Sequence, residues 1–513
     1  MTQTPSLLTT RTLPTHLGAV RSPAPNPGIL HLGLGNFHRA HQAVYTAAAM
    51  DSHGGDWGII GVANRSRAIV DAMNAQEMLY TVMEISPSGT EFSVPAIHSE
   101  VLVGAEDPGL VVDRIASPSI KIVTITVTEH GYHLDPNTGR LNRSADILHD
   151  LSETSKPRTI LGQLVRGLQA RMTIDAPITV LSCDNLASNG VRLKDVVLEF
   201  AESTSQGIRL AQWIDECVSF PSSMVDRIVP ATQDSHRSAI TSSLGYRDQV
   251  PVPTEPFSMW AIEDDFRAGR PAWEHHGAIF TSEVDRYEEM KLRLLNGTHS
   301  LLAYSGALLG RQTIPDSVRD DQVKTAAANI LRNEYLPSVR LPSGLDIDAY
   351  EAALFSRWSN TSLGHRTSQV GSDGSVKLPE RVVVPALQFL ERGEMPHLLA
   401  LTIAAYSSCI APIAGFDPGE SATQMSDPAR PLLNTLAASA TSGQQMASAL
   451  FEQGGVFPPS LGAQTDFVTR VGDFIDVIRL DGIDSALKLA NECPAPNKVL
   501  PATSLSSAEM ERS

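Results

Sequence analysis

The chain has 513 residues, 42% hydrophobic and 19% charged, a balance that excludes wholesale disorder and a multi-span membrane protein. Forty Lys and Arg against 57 Asp and Glu leave a formal net charge of −17, which repels a nucleic-acid backbone, and no basic stripe offsets it. Cys183, Cys217, Cys409 and Cys493 lie far apart, outside any disulfide or zinc spacing, so a reducing compartment is expected.

In chain order, residues 1–27, rich in Thr, Pro and Ser, lack the apolar stretch of a secretory leader. They are expected to form a flexible tail, with the cytoplasm as default location. Apolar runs at 28–32, 57–62, 79–84, 121–127 and 178–181, mostly separated by amphipathic stretches, predict parallel strands joined by crossover helices. This is an α/β pattern, expected to form one domain over 28–280. From Tyr287 onward apolar residues recur at three- and four-residue spacing, in 287–311, 318–335, 346–358 and 383–392. They predict a mostly α-helical domain over 281–495, followed by a tail at 496–513. The most apolar stretch, 398–416, carries Thr402, Ser407, Ser408 and Pro412. It reads as a buried core helix and its exit, since a span needs about 20 mostly apolar residues.

Gly33-Leu34-Gly35-Asn36-Phe37-His38 follows the first apolar run and precedes a helix-like segment. A strand, a glycine turn and a helix start bring bare backbone N–H groups against a pyrophosphate. His38 stands where the third glycine of the usual fingerprint would be. The acidic residue that normally holds the adenosine ribose near the end of the second strand is also missing, the stretch reading Val62-Ala63-Asn64-Arg65-Ser66-Arg67. Arg65 and Arg67 suit a 2′-phosphate or are solvated surface, so NAD and NADP both remain open.

The second chemical signal is Lys291-Leu-Arg-Leu-Leu-Asn296-Gly-Thr-His299. At about 100° per residue, Asn296 lies about 140° and His299 about 80° round from Lys291, so the three share one half of a helix. In a water-poor pocket the lysine amine loses its solvation and accepts a proton from a substrate hydroxyl, while Asn296 and His299 donate to the oxygen as charge develops. A lysine snorkelling to solvent beside two helix-face polar residues is the structural alternative.

Gly-Leu-Gly-Asn-Phe-His-Arg-Ala-His at 33–41, together with the 291–299 motif, resembles the long-chain mannitol dehydrogenase family. Thr128-Glu129-His130-Gly131-Tyr132, Leu181-Ser182-Cys183-Asp184-Asn185, Met224-Val225-Asp226-Arg227-Ile228 and Glu255-Pro256-Phe257 resemble it in the same order. The similarity runs from about residue 28 to 395. It implies a zinc-independent, NAD- or NADP-dependent dehydrogenase of an open-chain polyol or its acid, with 28–280 as a Rossmann-like dinucleotide-binding domain, 281–495 as the helical substrate and catalytic domain, and the site in the cleft between the two. By this resemblance Lys291 is the general base and Asn296 and His299 form the oxyanion site. Asn185 and Asp226 position substrate hydroxyls, Glu129 relays the lysine proton, and Gly33, Leu34, Gly35, Asn36, Phe37 and Arg65 bind the cofactor.

The segment Gly364-His365-Arg366-Thr367-Ser368-Gln369, followed by Asp373-Gly374-Ser375-Val376-Lys377-Leu378-Pro379, is more similar to the fructuronate reductase branch than to mannitol 2-dehydrogenases, where an arginine is expected at position 369. Lys377 is expected on a substrate oxygen, and Arg366 suits a bidentate grip on a carboxylate. Mannonate to fructuronate, mannitol to fructose and, behind them, a phosphorylated polyol are the expected conversions, by a monomer or weak oligomer with no nucleic-acid or membrane partner. A non-catalytic dinucleotide sensor is the rival reading, since fold alone does not guarantee chemistry; intact Lys291, Asn296 and His299 oppose it. Tyr287 precedes Lys291 by four residues, as in short-chain dehydrogenases, but the downstream Asn and His fit the long-chain pattern. His38, His41 and the run Glu274-His275-His276 are expected to be packing or solvated residues rather than metal ligands.

Overall fold

The computed structural model describes residues 5–17, 25–135, 138–152 and 156–494. The chain divides into two compact units, Met1–Asp285 and Arg286–Ser513.

In the first unit the strands are β1 (Pro27–Leu32), β2 (Gly58–Ala63), β3 (Val82–Ser86), β4 (Gly89–Ser93), β5 (His98–Val103), β6 (Ile122–Ile125), β7 (Ile178–Ser182), β8 (Val218–Ser219), β9 (Ser223–Asp226), β10 (Val252–Thr254), β11 (Met259–Ile262) and β12 (Ala278–Phe280). Six of them form one sheet in the order β5-β2-β1-β6-β7-β8. Every pairing in it is parallel. By the sheet's own chain sequence this is the order 3-2-1-4-5-6, in which the winding direction reverses between β1 and β6. The expected α/β architecture is present, and the reversal opens beside the glycine turn.

Side chains alternate across the pleat. Leu30 and Leu32 enter one core with Val123, Ile125 and Val180, against the helices Pro108–Ala116 and Ile160–Met172. Ile29, Ile59 and Ile122 enter the opposite core with Trp57, Trp260 and Trp273. With both faces covered, each such side chain stabilises the sheet by about 1.5–3 kcal/mol. The run expected as a strand over 79–84 becomes β3 instead, in a separate sheet of order β10-β3-β4. Within the stretch expected to be a tail, residues 5–17 are packed: Leu8 is buried, and Leu7 bridges to Arg247.

Among its described residues, the regular elements of the second unit are all helices, joined by loops. Its central helix, His397–Ile410, is buried along nearly its whole length, as expected of the 398–416 stretch. The carboxylate of Glu334 accepts the backbone N–H groups of Leu398 and Leu399 at that helix's start, at 2.9 and 2.8 Å. Burial pushes the Glu334 carboxyl up to about 8.

Candidate active site

In the first unit, the site begins where β1 ends. Gly33 has φ +107°, and its N–H and that of Leu34 donate to the Val62 carbonyl, both at 2.9 Å. Gly35 precedes the helix Asn36–Ala40, and the nearest atom to a β-carbon built on it is the Gly33 carbonyl oxygen, at 3.6 Å. The turn therefore leaves bare backbone at the switch point. Leu34 is buried over Gly61, and Phe37 packs on His41 with ring centroids 5.1 Å apart. The Asn36 amide donates to Thr232 Oγ1 at 3.2 Å and accepts from Arg39 at 2.7 Å, which fixes the first helical turn.

His38, in place of the third glycine, is wholly buried and stacks on His31 with centroids 3.4 Å apart. Its Nε2 lies 3.2 Å from Nε2 of His98, so one ring donates to the other. Burial lowers His31 and His98 to about 3 and His38 well below its ordinary value. Three neutral imidazoles thus support the turn from beneath. His41 joins Tyr45 and Trp260 in the adjacent aromatic core.

Arg65 is exposed at the end of β2, on the strand neighbouring β1. Arg67 is engaged elsewhere, in ion pairs with Glu106 and Asp71. The Asp184 carboxylate binds the loops after β6 and β7 together. It accepts from the N–H groups of Val127 (2.9 Å) and Thr128 (3.2 Å) and from the Tyr132 hydroxyl (2.7 Å). Asn185 follows it and is exposed. Asp226 is buried at the end of β9, and that strand's start is tied to β7 by the Ser223 hydroxyl, which donates to the Ser182 carbonyl at 2.6 Å. The side chain of Glu129 lies outside the described residues. Parallel pairing puts Gly33–Phe37, Arg65 and Asn185 at the same, carboxyl end of the main sheet's strands.

In the second unit the helix carrying the lysine motif is not α-helical throughout. Lys291–Gly297 form a π-helix, continued by the α-helix Thr298–Leu308. Residues i and i+5 lie one turn apart in a π-helix, so Asn296 stands one turn on from Lys291 rather than about 140° round from it. His299 is buried, with its ring 5.2 Å from His365 and 5.9 Å from Trp358 by centroids. Its Nε2 has no hydrogen-bond partner among the described residues. Burial holds the imidazole far below its ordinary pKa, helped by His365, Arg357, Arg381 and Lys377.

Lys377, on the helix Gly374–Leu390, donates to the Ser372 carbonyl at 2.7 Å, and burial lowers its pKa, as does Arg381. Arg366 is exposed, heading the short helix Thr367–Gly371, and its backbone bridges Thr313. The structure thus groups Lys291, Asn296 and His299 on one helical run, with His365 and the charge of Lys377 close to His299. Sequence reasoning did not assign His365, Trp358 or Arg381. Arg381 lies four residues after Lys377 on the helix Gly374–Leu390, a relation that shows only once that helix is known to begin before position 383. Tyr287 is buried in the α-helical stretch Val284–Met290 before the π-helix.

The Glu274-His275-His276 run lies on the surface, with Glu274 paired to Arg270 at 2.6 Å and His275 stacked on His53. Among the described residues no group of three or more His, Cys, Asp or Glu is placed to hold a metal ion, and no helix is long and apolar enough to cross a membrane.

A parallel sheet of 3-2-1-4-5-6 order with a glycine turn at its switch point, followed in the chain by a helical unit that carries half-buried Lys291 and Asn296 and buried His299 on one run, defines a Rossmann-type oxidoreductase. Residues 27–275 match the mannitol dehydrogenase Rossmann domain, and 283–478 match the mannitol dehydrogenase C-terminal domain. The chain is 38% identical to the D-mannonate oxidoreductase of Escherichia coli (strain K12) over 453 residues, 86% of this chain and 91% of that protein. It is 37% identical to the mannitol 2-dehydrogenase of Cereibacter sphaeroides over 385 residues, 74% and 80% respectively. Among solved structures, Pseudomonas fluorescens mannitol 2-dehydrogenase in ternary complex with NAD and D-mannitol aligns at TM-score 0.81 and 34% identity, covering 95% of this chain and 100% of that one. The chain belongs to the mannitol dehydrogenase family of oxidoreductases.

Proposed function

We propose that the protein interconverts a secondary alcohol and the corresponding ketone of an open-chain sugar acid, of the mannonate/fructuronate type, using NAD and a lysine base rather than a metal. The observation that carries this reading is the orphan Nε2 of buried His299, on the same helical run as Lys291 and Asn296. A buried imidazole nitrogen without a partner in the chain is costly unless a ligand atom meets it. A substrate oxygen does so here.

The glycine turn fits a dinucleotide: Gly33 holds a backbone conformation that other residues rarely adopt, and no side chain stands over Gly35. Gly33, Leu34, Gly35, Asn36 and Phe37 hold the pyrophosphate, with Arg65 toward the adenosine ribose. A nicotinamide bound there supplies the hydride acceptor. Lys291 removes the hydroxyl proton, Asn296 and His299 donate to the oxygen as it gains charge, and Glu129 passes the lysine's proton toward water. Asn185 and Asp226 hold neighbouring hydroxyls, and Lys377 meets another substrate oxygen.

The sugar acid is favoured over a neutral polyol by the charges bearing on His299. Arg357, Arg381 and Lys377 are all cationic, in a protein whose net charge is −17. Arg366 is exposed, and its guanidinium suits a bidentate grip on a carboxylate. Absorbance at the nicotinamide band with mannonate, fructuronate, mannitol, arabinitol and sorbitol tests this. The kcat/KM for mannonate or fructuronate is expected to exceed that for mannitol by about tenfold or more, as for a charge-assisted contact; equal values for acid and polyol return the assignment to a neutral substrate. Dialysis against EDTA is expected to leave turnover unchanged, and a loss restored by zinc refutes the lysine-only reading.

A further inference from the structure

Resting on that reading, we propose that Arg381 is a positioning residue: its guanidinium clamps the carbonyl of Asn296 and so holds the widened helical turn that sets the Asn296 amide one turn from Lys291. Nη1 of Arg381 donates to the Asn296 carbonyl at 3.1 Å and to Ser300 Oγ at 3.0 Å, and Ser300 Oγ itself donates to that same carbonyl at 3.3 Å. The three groups close a triangle at the junction between the π-helix and the α-helix.

The π-helix is rare and occurs mostly as single-turn bulges, frequently at functional sites, so a seven-residue π-helical stretch calls for outside support. The support here comes from two sides. Arg381 reaches the turn from the helix Gly374–Leu390. Gly297, the last π-helical residue, lies against the ring of Tyr335. A β-carbon there would come 2.6 Å from the Tyr335 hydroxyl oxygen and closer still to the ring, so only glycine fits. Tyr335 ends a second π-helical stretch, Ile330–Tyr335. Two irregular turns are therefore pressed together where Asn296 and His299 emerge.

The clamp is made by a charge that has little else to hold. Arg381 forms no ion pair among the described residues, and its bonds go to a carbonyl and a hydroxyl. Burying a guanidinium is expensive without compensating bonds, and burial lowers its pKa accordingly. A carboxylate partner would neutralise the charge beside the oxyanion site, whereas a carbonyl leaves it intact. Arg381 thus fixes the direction of Asn296 and keeps positive charge at its back.

The test compares Arg381→Met, Arg381→Lys and Gly297→Ala with the parent enzyme. It measures kcat, KM, NADH affinity by fluorescence, melting temperature and amide hydrogen exchange at residues 296–300. Arg381→Met is expected to lower kcat about 10- to 100-fold, the scale of a misplacement near 1 Å, with NADH affinity within about twofold because the glycine turn belongs to the other unit. Arg381→Lys recovers part of the loss. Gly297→Ala, which wedges the same turn without touching a charge, lowers kcat similarly, and both variants speed exchange at 296–300. Parental kcat in a folded Arg381→Met enzyme overturns the clamp, as do equal losses for Met and Lys with exchange unchanged. If Arg381→Met does not fold, Gly297→Ala decides, and parental kcat in that variant overturns the proposal. A parent enzyme inactive on every sugar derivative refutes the functional reading alone, while exchange at 296–300 still reports on the clamp.

Discussion

Replacing Lys291 with alanine is expected to lower turnover by about 10²- to 10⁴-fold, the usual contribution of a positioned acid or base, while NADH affinity stays within about twofold. The two effects separate because Lys291 lies in the helical unit and the glycine turn in the other. Alanine also keeps the helix intact, since it is the best helix former and Lys291 is only half-buried. Tyr287→Phe is the control. That tyrosine occupies the base position of a short-chain dehydrogenase, so a loss as large as that of Lys291→Ala would move the base from the amine to the phenol. An external amine, supplied at high concentration, is expected to restore part of the Lys291→Ala rate, and the restored rate should follow the amine's basicity. Turnover of Lys291→Ala equal to the parent would end the lysine-base reading.

Much of the first unit was legible because buried parallel strands read as unbroken apolar runs, and β1, β2, β6 and β7 carry such runs. Two strands of the main sheet were not. β5 reads His-Ser-Glu-Val-Leu-Val, its first half polar, and β8 has only two residues. β3 was visible as a strand, but an apolar run does not say which sheet it joins; its partners β10 and β4 draw it out of the main one. The lysine–asparagine–histidine run was legible as residue types on one helix. Its geometry was not, because α-helical periodicity carries no mark for a widened turn. The one trace was Gly297, whose bare backbone makes sense only once Tyr335 is known to press against it. Arg381 was hidden for a related reason: the helix Gly374–Leu390 contains Pro379 and Pro385, and the apolar period alone started it at 383. His38 broke the glycine fingerprint in sequence. In the fold it replaces close helix–strand contact with a stack on His31.

Alanine at either glycine of the turn is expected to weaken NADH binding, but only at Gly33 through a loss of stability, and that contrast separates folding from binding. At Gly33 the backbone has φ +107°, and a β-carbon would lie 2.7 Å from the Thr126 carbonyl carbon and overlap its oxygen. Strain of about 1–2 kcal/mol from the backbone adds to about 1–3 kcal/mol of overpacking. Gly33→Ala should therefore melt about 5–15 °C lower and bind NADH poorly because β1 and β6 are forced apart. At Gly35, φ is −124°, which any residue adopts, and the nearest atom to a β-carbon is 3.6 Å away. Gly35→Ala should melt like the parent. Its methyl group nonetheless occupies the space that a pyrophosphate needs against the bare turn, so the NADH dissociation constant should rise about tenfold or more, as a contact held at hydrogen-bond distance is pushed outward. Calorimetric melts beside NADH fluorescence titrations distinguish the cases. A stable Gly35→Ala variant that binds NADH like the parent would show that the dinucleotide does not lie on this turn, whatever the sheet order suggests.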